Sequence, residues 1–150
     1  MAKEIIIHGP ADYEGMRRAG RLAAETLDMI APYVQAGITT GELDKLCDDF
    51  INAHGGVSAC LGYRGYPKSV CISLNHVICH GIPGDRKLVN GDILNIDVTV
   101  ILDGWYGDTS RMYTVGKIPV KAKRLIDITF ETMWRGIEQV RPGATLGDVG

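Results

Sequence analysis

A chain of 150 residues, 45% apolar and 23% charged, is long enough for one domain with a hydrophobic core of its own. Its formal net charge of -2 gives no electrostatic ground for nucleic acid or anionic lipid as a specific partner. No apolar run reaches the roughly 18 residues of a membrane span, and the three isoleucines before His8 are too short for the apolar core of a secretion signal, so no membrane association and a cytoplasmic location are expected.

Asp12 to Gln35 reads as a helix, with Met16, Ala19, Leu22, Ala23, Leu27, Ile30 and Val34 at helical spacing. Asp12 can cap its start and Gly37 lies past its end. Thr39 and Glu42 form a capping box that opens a second helix. Leu43, Leu46, Cys47, Phe50 and Ile51 make its apolar face, and it stops at His54-Gly55-Gly56. Val57 to Leu61, Val70 to Leu74 and Val77 to Cys79 then read as short strands between turn residues. Asp92 to Leu102 and Trp105 to Val115 flank Asp103-Gly104, a strong hairpin signal. The helical period returns from Pro119 to about Val140 through Leu125, Ile126, Thr129, Met133, Ile137 and Val140. Lys121, Lys123 and Arg124 read as its solvated face.

Gly37-Ile38-Thr39-Thr40-Gly41-Glu42-Leu43 is echoed by Gly143-Ala144-Thr145-Leu146-Gly147-Asp148-Val149 at an offset of 106 residues. Each copy follows a long amphipathic helix and opens a shorter one. A duplicated unit restarting near residue 119 would produce this, as would two similar helix caps arising by chance. If the unit is duplicated, the chain stops at the opening of the second copy's second helix.

Asp97 stands in the apolar run Ile96-Asp97-Val98-Thr99-Val100, where a charged carboxylate needs a partner. If Asp103-Gly104 is a two-residue turn, Leu102 faces Trp105 and Asp97 faces Ser110. Asp108 is then the diagonal neighbour of Asp97 on the same face, with Cβ atoms about 7 Å apart. Two like charges at that separation call for a cation between them. The bland alternative has Asp103 and Asp108 as turn residues and Asp97 accepting hydrogen bonds from a loop. A one-residue slip in register would send the two carboxylates to opposite faces. Cys47, Cys60, Cys71 and Cys79 include no C-x-x-C pair, so buried free thiols are expected rather than disulfides or a zinc site.

The stretch Cys60-Leu-Gly-Tyr-Arg-Gly-Tyr-Pro-Lys-Ser-Val-Cys71 resembles methionine aminopeptidase type I. So do Val77-Ile-Cys-His80-Gly-Ile-Pro-Gly, Gly91-Asp-Ile-Leu-Asn-Ile-Asp97-Val and Asp103-Gly-Trp-Tyr-Gly-Asp108-Thr-Ser. The resemblance runs from about Ile5 to the last residue. It implies an α+β pita-bread fold, a curved antiparallel sheet with helices on one face, built from two related halves. Residues 1–150 would be the N-terminal part of one catalytic domain. It implies a hydrolase that removes the initiator methionine from nascent chains with a small second residue. Two divalent cations, Co, Mn, Fe(II) or Zn, would be held by five side chains. Asp97 and Asp108 match the first two of these, with Asp108 bridging both metals. His80 would contact substrate beside the scissile amide and assist proton movement. Cys60, Tyr63, Tyr66 and Cys71 would line the methionine pocket, and Asn75 and Val77 would offer carbonyls to a monovalent cation. A monomer working near the ribosome on N-termini beginning with Met is the implied setting.

The other three ligands of the family, a histidine and two glutamates, have no counterpart in this sequence, so the 150 residues alone are expected to be inactive. The sheet is also expected to expose apolar surface. Two other readings of the parent protein compete: a proline-directed aminopeptidase of the same fold, which Cys60, Tyr63, Tyr66 and Cys71 disfavour, and a non-catalytic pita-bread binding protein, which Asp97 and Asp108 disfavour. His76 and His80 make H-x-x-x-H, but Gly81 and Pro83 follow at once, so a helical metal pair is not expected. His8 and His54 read as surface or cap residues, and Trp105 as a packing residue.

Overall fold

The computed structural model describes residues 5–150. Met1 to Glu4, the first part of the stretch read above for a secretion signal, lie outside the described residues. Helix α1 spans Pro10–Ile30. It begins before the expected Asp12 because Pro10, which has no N–H to satisfy, occupies the first helical position behind Gly9. Asp12 caps from inside the helix, its carboxylate accepting the Gly9 N–H at 2.9 Å. The helix also ends earlier than expected. Pro32 cannot donate to a helical carbonyl, and the chain tightens into a 3-10 turn over Ala31–Tyr33. Helix α2, Thr40–Ala53, opens on the expected capping box: the Thr39 N–H donates to Glu42 Oε2 at 2.8 Å and the Glu42 N–H to Thr39 Oγ1 at 3.1 Å.

Four antiparallel strands follow: β1 (Val57–Ser58), β2 (Cys71–Leu74), β3 (Ile93–Leu102) and β4 (Trp105–Thr114). The β3–β4 register places Leu102 opposite Trp105, Asp97 opposite Ser110 and Thr99 opposite Asp108. Asp103 and Gly104 both turn through positive φ, at 50° and 82°, as a tight hairpin twisting with its strands requires. Since β4 fills one edge of β3 along its whole length, β1 and β2 share the other edge end to end, at Ser58↔Val100 and Cys71↔Asp97. The expected strand Val77 to Cys79 is instead a turn. Asn75 and His80 both take positive φ, and the Val77 N–H folds back to Leu74 O at 3.1 Å. The β2 edge is met by Gly81 instead, whose carbonyl accepts the Ile72 N–H at 2.9 Å.

Strand β3 alternates in burial from Ile93 to Val100. Leu94, Ile96, Val98 and Val100 point into the core against Leu22, Leu27 and Ile30 of α1 and Leu43, Cys47 and Ile51 of α2. Each such side chain contributes about 1.5–3 kcal/mol when fully buried. Strand β4 passes hard against α1, for a Cβ on Gly107 would lie 2.2 Å from the Ala19 backbone. The opposite sheet face carries Asn95, Asp97 and Thr99, half-buried and polar. Apolar exposure on the sheet is confined to its ends, at Val57 of β1 and Tyr106 of β4. A larger exposed apolar surface lies on α3 (Val120–Glu138), which has no buried residue and leaves Leu125 61% and Phe130 60% exposed. Helix α4 (Leu146–Val149) packs on α3. No helix among the described residues is long and apolar enough to cross a membrane.

Candidate metal and substrate site

The polar face of β3 and β4 floors a cavity of about 670 Å³. Asp97 and Asp108 stand side by side on it, as the register requires, close enough for the Asp108 charge to act on Asp97. Burial, and then the Asp108 charge, push the Asp97 carboxyl above its ordinary value, while the nearby His80 imidazole opposes the rise. A pair held this close shares a proton or a cation.

The walls come from the segments that abut the β1–β2 edge. Cys60, Tyr63, Tyr66, Cys71 and His80 all line the same cavity as the two aspartates. Their placement follows from a few polar anchors. The buried carboxylate of Asp44 on α2 accepts the Ser69 and Val70 N–H groups at 2.8 and 3.0 Å, tying the segment ahead of β2 to the helix. The Ser58 hydroxyl donates to Ser69 O at 2.5 Å and accepts the Cys60 N–H at 3.2 Å. The Tyr66 hydroxyl donates to Gly81 O at 3.0 Å. Burial first, then the Cys71 thiol, raise the Tyr66 phenol, so it stays a neutral donor. His80 is exposed at the mouth and holds φ at 54°. Its neighbour must be glycine, because a Cβ on Gly81 would lie 2.2 Å from Ile72 O. Burial also raises both the Cys60 and the Cys71 thiols.

Asn75 and Val77 are brought together, but elsewhere. They line a separate cavity of about 310 Å³ with His76. The Asn75 side chain is engaged there, donating to Asp92 Oδ1 at 2.9 Å and accepting the Ile93 N–H at 3.0 Å. His76 and His80 thus face different cavities. Trp105 packs away from the site against Gly15 and edge-on to His8. His54 caps α2, with Nδ1 at 2.8 Å from Phe50 O. All four cysteines are free, but only Cys47 and Cys71 are buried; Cys79 is exposed.

Thr99, Tyr106 and Arg64 also line the large cavity, and the sequence reading did not single them out. Two were within reach of it. Thr99 lies two residues after Asp97, and Tyr106 two before Asp108, so strand alternation puts both on the same face. Arg64 carries no such signal. It sits in a turn at φ 48°, with its guanidinium 5.4 Å from the Tyr63 ring centre.

Two hard carboxylate oxygen donors side by side, Asp97 half-buried and Asp108 exposed, fit a divalent cation. They form only part of a donor set, since no group of three or more His, Cys, Asp or Glu side chains among the described residues is placed to hold one.

Comparison with known proteins extends these observations. The family model described as "Metallopeptidase family M24" matches residues 14–150. The methionine aminopeptidase of Rickettsia prowazekii is 60% identical over 146 residues, covering 97% of this chain and 56% of that protein. The methionine aminopeptidase of Escherichia coli strain K12 is 58% identical over 148 residues, again 97% of this chain and 56% of that protein. The crystal structure of the Rickettsia prowazekii enzyme superposes with a TM-score of 0.95, covering 97% of this chain and 59% of that one. The fold is accordingly the pita-bread arrangement, and the chain spans a little over half the length of the relatives it matches.

Proposed function

The chain belongs to metallopeptidase family M24, and from that premise we propose that its cavity is part of the active site of a methionine aminopeptidase. The observation that carries the proposal is the pairing of Asp97 and Asp108 on the floor of a cavity walled by two thiols, two tyrosines and a histidine. The thiols and ring edges of Cys60, Cys71, Tyr63 and Tyr66 offer soft, polarizable contacts that suit a thioether side chain. The two aspartates would hold a divalent cation, Co, Mn, Fe(II) or Zn, and a second would share Asp108. A cation bound there supplies Lewis-acid polarisation of the scissile carbonyl and activation of a water. His80, at the mouth, hydrogen-bonds the substrate beside the bond to be cut and moves a proton through its ring nitrogen. Asn75 and Val77 would serve a monovalent cation in their own cavity.

The substrates we propose are N-termini of nascent polypeptides that begin with Met and carry a small second residue. A cytoplasmic monomer working near the ribosome would meet them. Residues 119–150 would open a second unit related to the first. Two carboxylates are two of the five ligands that the resemblance implies, so these 150 residues alone are expected to bind metal weakly and to release no methionine.

Mn(II) titration of the 150-residue chain, followed by electron paramagnetic resonance, tests the site directly. Weak saturable binding that Asp97→Asn and Asp108→Asn each abolish is expected; binding unchanged in both variants would refute the reading. Mixing the chain with the remaining portion of the Rickettsia prowazekii relative and assaying Met-Ala peptides tests the activity. Methionine release lost in Asp108→Ala is expected, and cleavage of Xaa-Pro peptides instead would favour the proline-directed alternative.

A further inference from the structure

We propose that Cys60 and Cys71 are a redox pair, which a peroxide converts to a disulfide across the wall of the aspartate cavity. Cys60 follows β1 and Cys71 opens β2, and these two strands lie end to end on one edge of β3. The Ala59 N–H donates to Thr99 O at 2.9 Å and Cys71 lies opposite Asp97, so the two cysteines meet neighbouring positions of β3 and line the same cavity. The Ser58 hydroxyl fixes both approaches, since it donates to Ser69 O two residues before Cys71 and accepts the Cys60 N–H. Both cysteines line the cavity, but Cys60 is half-buried, so a small oxidant can reach it, while Cys71 is only 7% exposed. The other two cysteines serve as internal contrasts. Cys47 is sealed in the core, and Cys79 is exposed on the turn before His80.

The chemistry closes with hydrogen peroxide as oxidant. The Cys60 sulfur attacks one peroxide oxygen; an S–O bond forms, the O–O bond breaks and the thiol proton leaves with the departing oxygen as water. The Cys71 sulfur then attacks the Cys60 sulfenic sulfur. The S–S bond forms, the S–O bond breaks, and the sulfenic oxygen leaves as a second water with the Cys71 proton. Two thiols lose two electrons and two protons, and one peroxide becomes two waters. Bridging draws the sulfurs to about 2.05 Å and removes two soft donors from the wall. That this excludes a thioether rests on the function proposed above; the bond itself does not.

The test treats the 150-residue chain with hydrogen peroxide, alkylates free thiols and measures intact mass and tryptic peptides. A loss of two hydrogens is expected, with a peptide link between Cys60 and Cys71, reversed by dithiothreitol. Arg64 and Lys68 lie between them, so trypsin separates the two peptides. Cys60→Ser and Cys71→Ser should each abolish the link, and Cys79→Ser should leave it intact, with circular dichroism confirming that each variant folds. No bridged product, a bridge to Cys79, or oxidation stopping at separate sulfinic acids would overturn the pair. Formation of the bridge in a protein that fails the Mn(II) titration would leave the redox pair standing and remove only the proposed metal site at Asp97 and Asp108.

Discussion

Helices α1 and α3 carry the same pattern 106 residues apart and meet opposite fates. Leu22, Leu27 and Val34 correspond to Ile128, Met133 and Val140. Thr26 and Thr132 each donate a hydroxyl to the carbonyl four residues back, at 2.8 and 2.7 Å. Gly37 and Gly143 follow at φ 101° and 88°, and the Thr39 and Thr145 N–H groups each donate to the acid three residues on, Glu42 and Asp148, at 2.8 and 2.7 Å. Yet Leu27 is buried against β3 and β4, while Met133 lies on a shallow apolar hollow of about 550 Å³ shared with Val149 of α4. The periodicity that makes a helix amphipathic states that the helix needs a covering surface; it does not supply one. Stability in this chain should therefore be concentrated in residues 10–115.

Truncating matched residues is the strongest way to break that comparison. Leu27→Ala should cost about 3 kcal/mol, because it opens a void among side chains that cannot close over it. Met133→Ala, at the equivalent position, should stay within about 0.5 kcal/mol. Urea unfolding monitored by circular dichroism measures both, and equal losses would show that α3 is as tightly packed as α1. Next in size is a pair of glycines. Gly107→Ala forces a methyl onto the Ala19 backbone and should cost about 2 kcal/mol or more. Gly136→Ala in α3 meets only Val149, at 3.4 Å, and should be neutral or favourable through helix propensity, by about 0.5–1 kcal/mol. The caps differ less. Thr39→Ala should lose about 1 kcal/mol. Thr145→Ala should leave the unfolding midpoint unchanged, because the four-residue α4 it opens has no buried side chain.

Much of this division was legible in the sequence. The Asp103-Gly104 turn fixed the hairpin register, and the register fixed which carboxylates share a face. The capping boxes and the apolar stripes of α1, α2 and α3 read directly from spacing. Three things did not. The extent of α1 depended on Pro10 and Pro32, whose missing N–H groups outrank a continuing apolar stripe. Val77 to Cys79 has strand composition, but positive φ at Asn75 and His80 is set by the Asp92 contact to Asn75 and by the close approach of Gly81 to β2, both long-range. Finally, neighbours between strands on one edge, such as Cys60 beside Cys71, depend on two separate pairings with β3 and leave no trace in local spacing. The walls of the cavity came from resemblance, and its floor from geometry.

The gentlest probe leaves the sequence nearly intact and varies only pH. Burial, and then the charges of Asp44 and Asp48, push the Cys47 thiol from 9.0 up to about 12. Burial pushes the Tyr113 phenol from 10.0 up to about 12, and its hydroxyl donates to Leu27 O at 2.5 Å. Both groups keep their protons longer when folded than when unfolded. Their contribution is therefore complete below pH 9 and falls as the pH rises toward 12, since only the unfolded chain releases protons early in that window. No titratable group is buried on α3 among the described residues. The two tryptophans divide neatly, Trp105 on β4 and Trp134 on α3. In the Trp134→Phe variant, Trp105 fluorescence should report a loss of stability to urea beginning above pH 9. In Trp105→Phe, Trp134 should show no alkaline step of its own. A Trp134 transition that preceded the Trp105 one would mean that α3 has its own buried, titrating core, and the contrast between the two helices would fail.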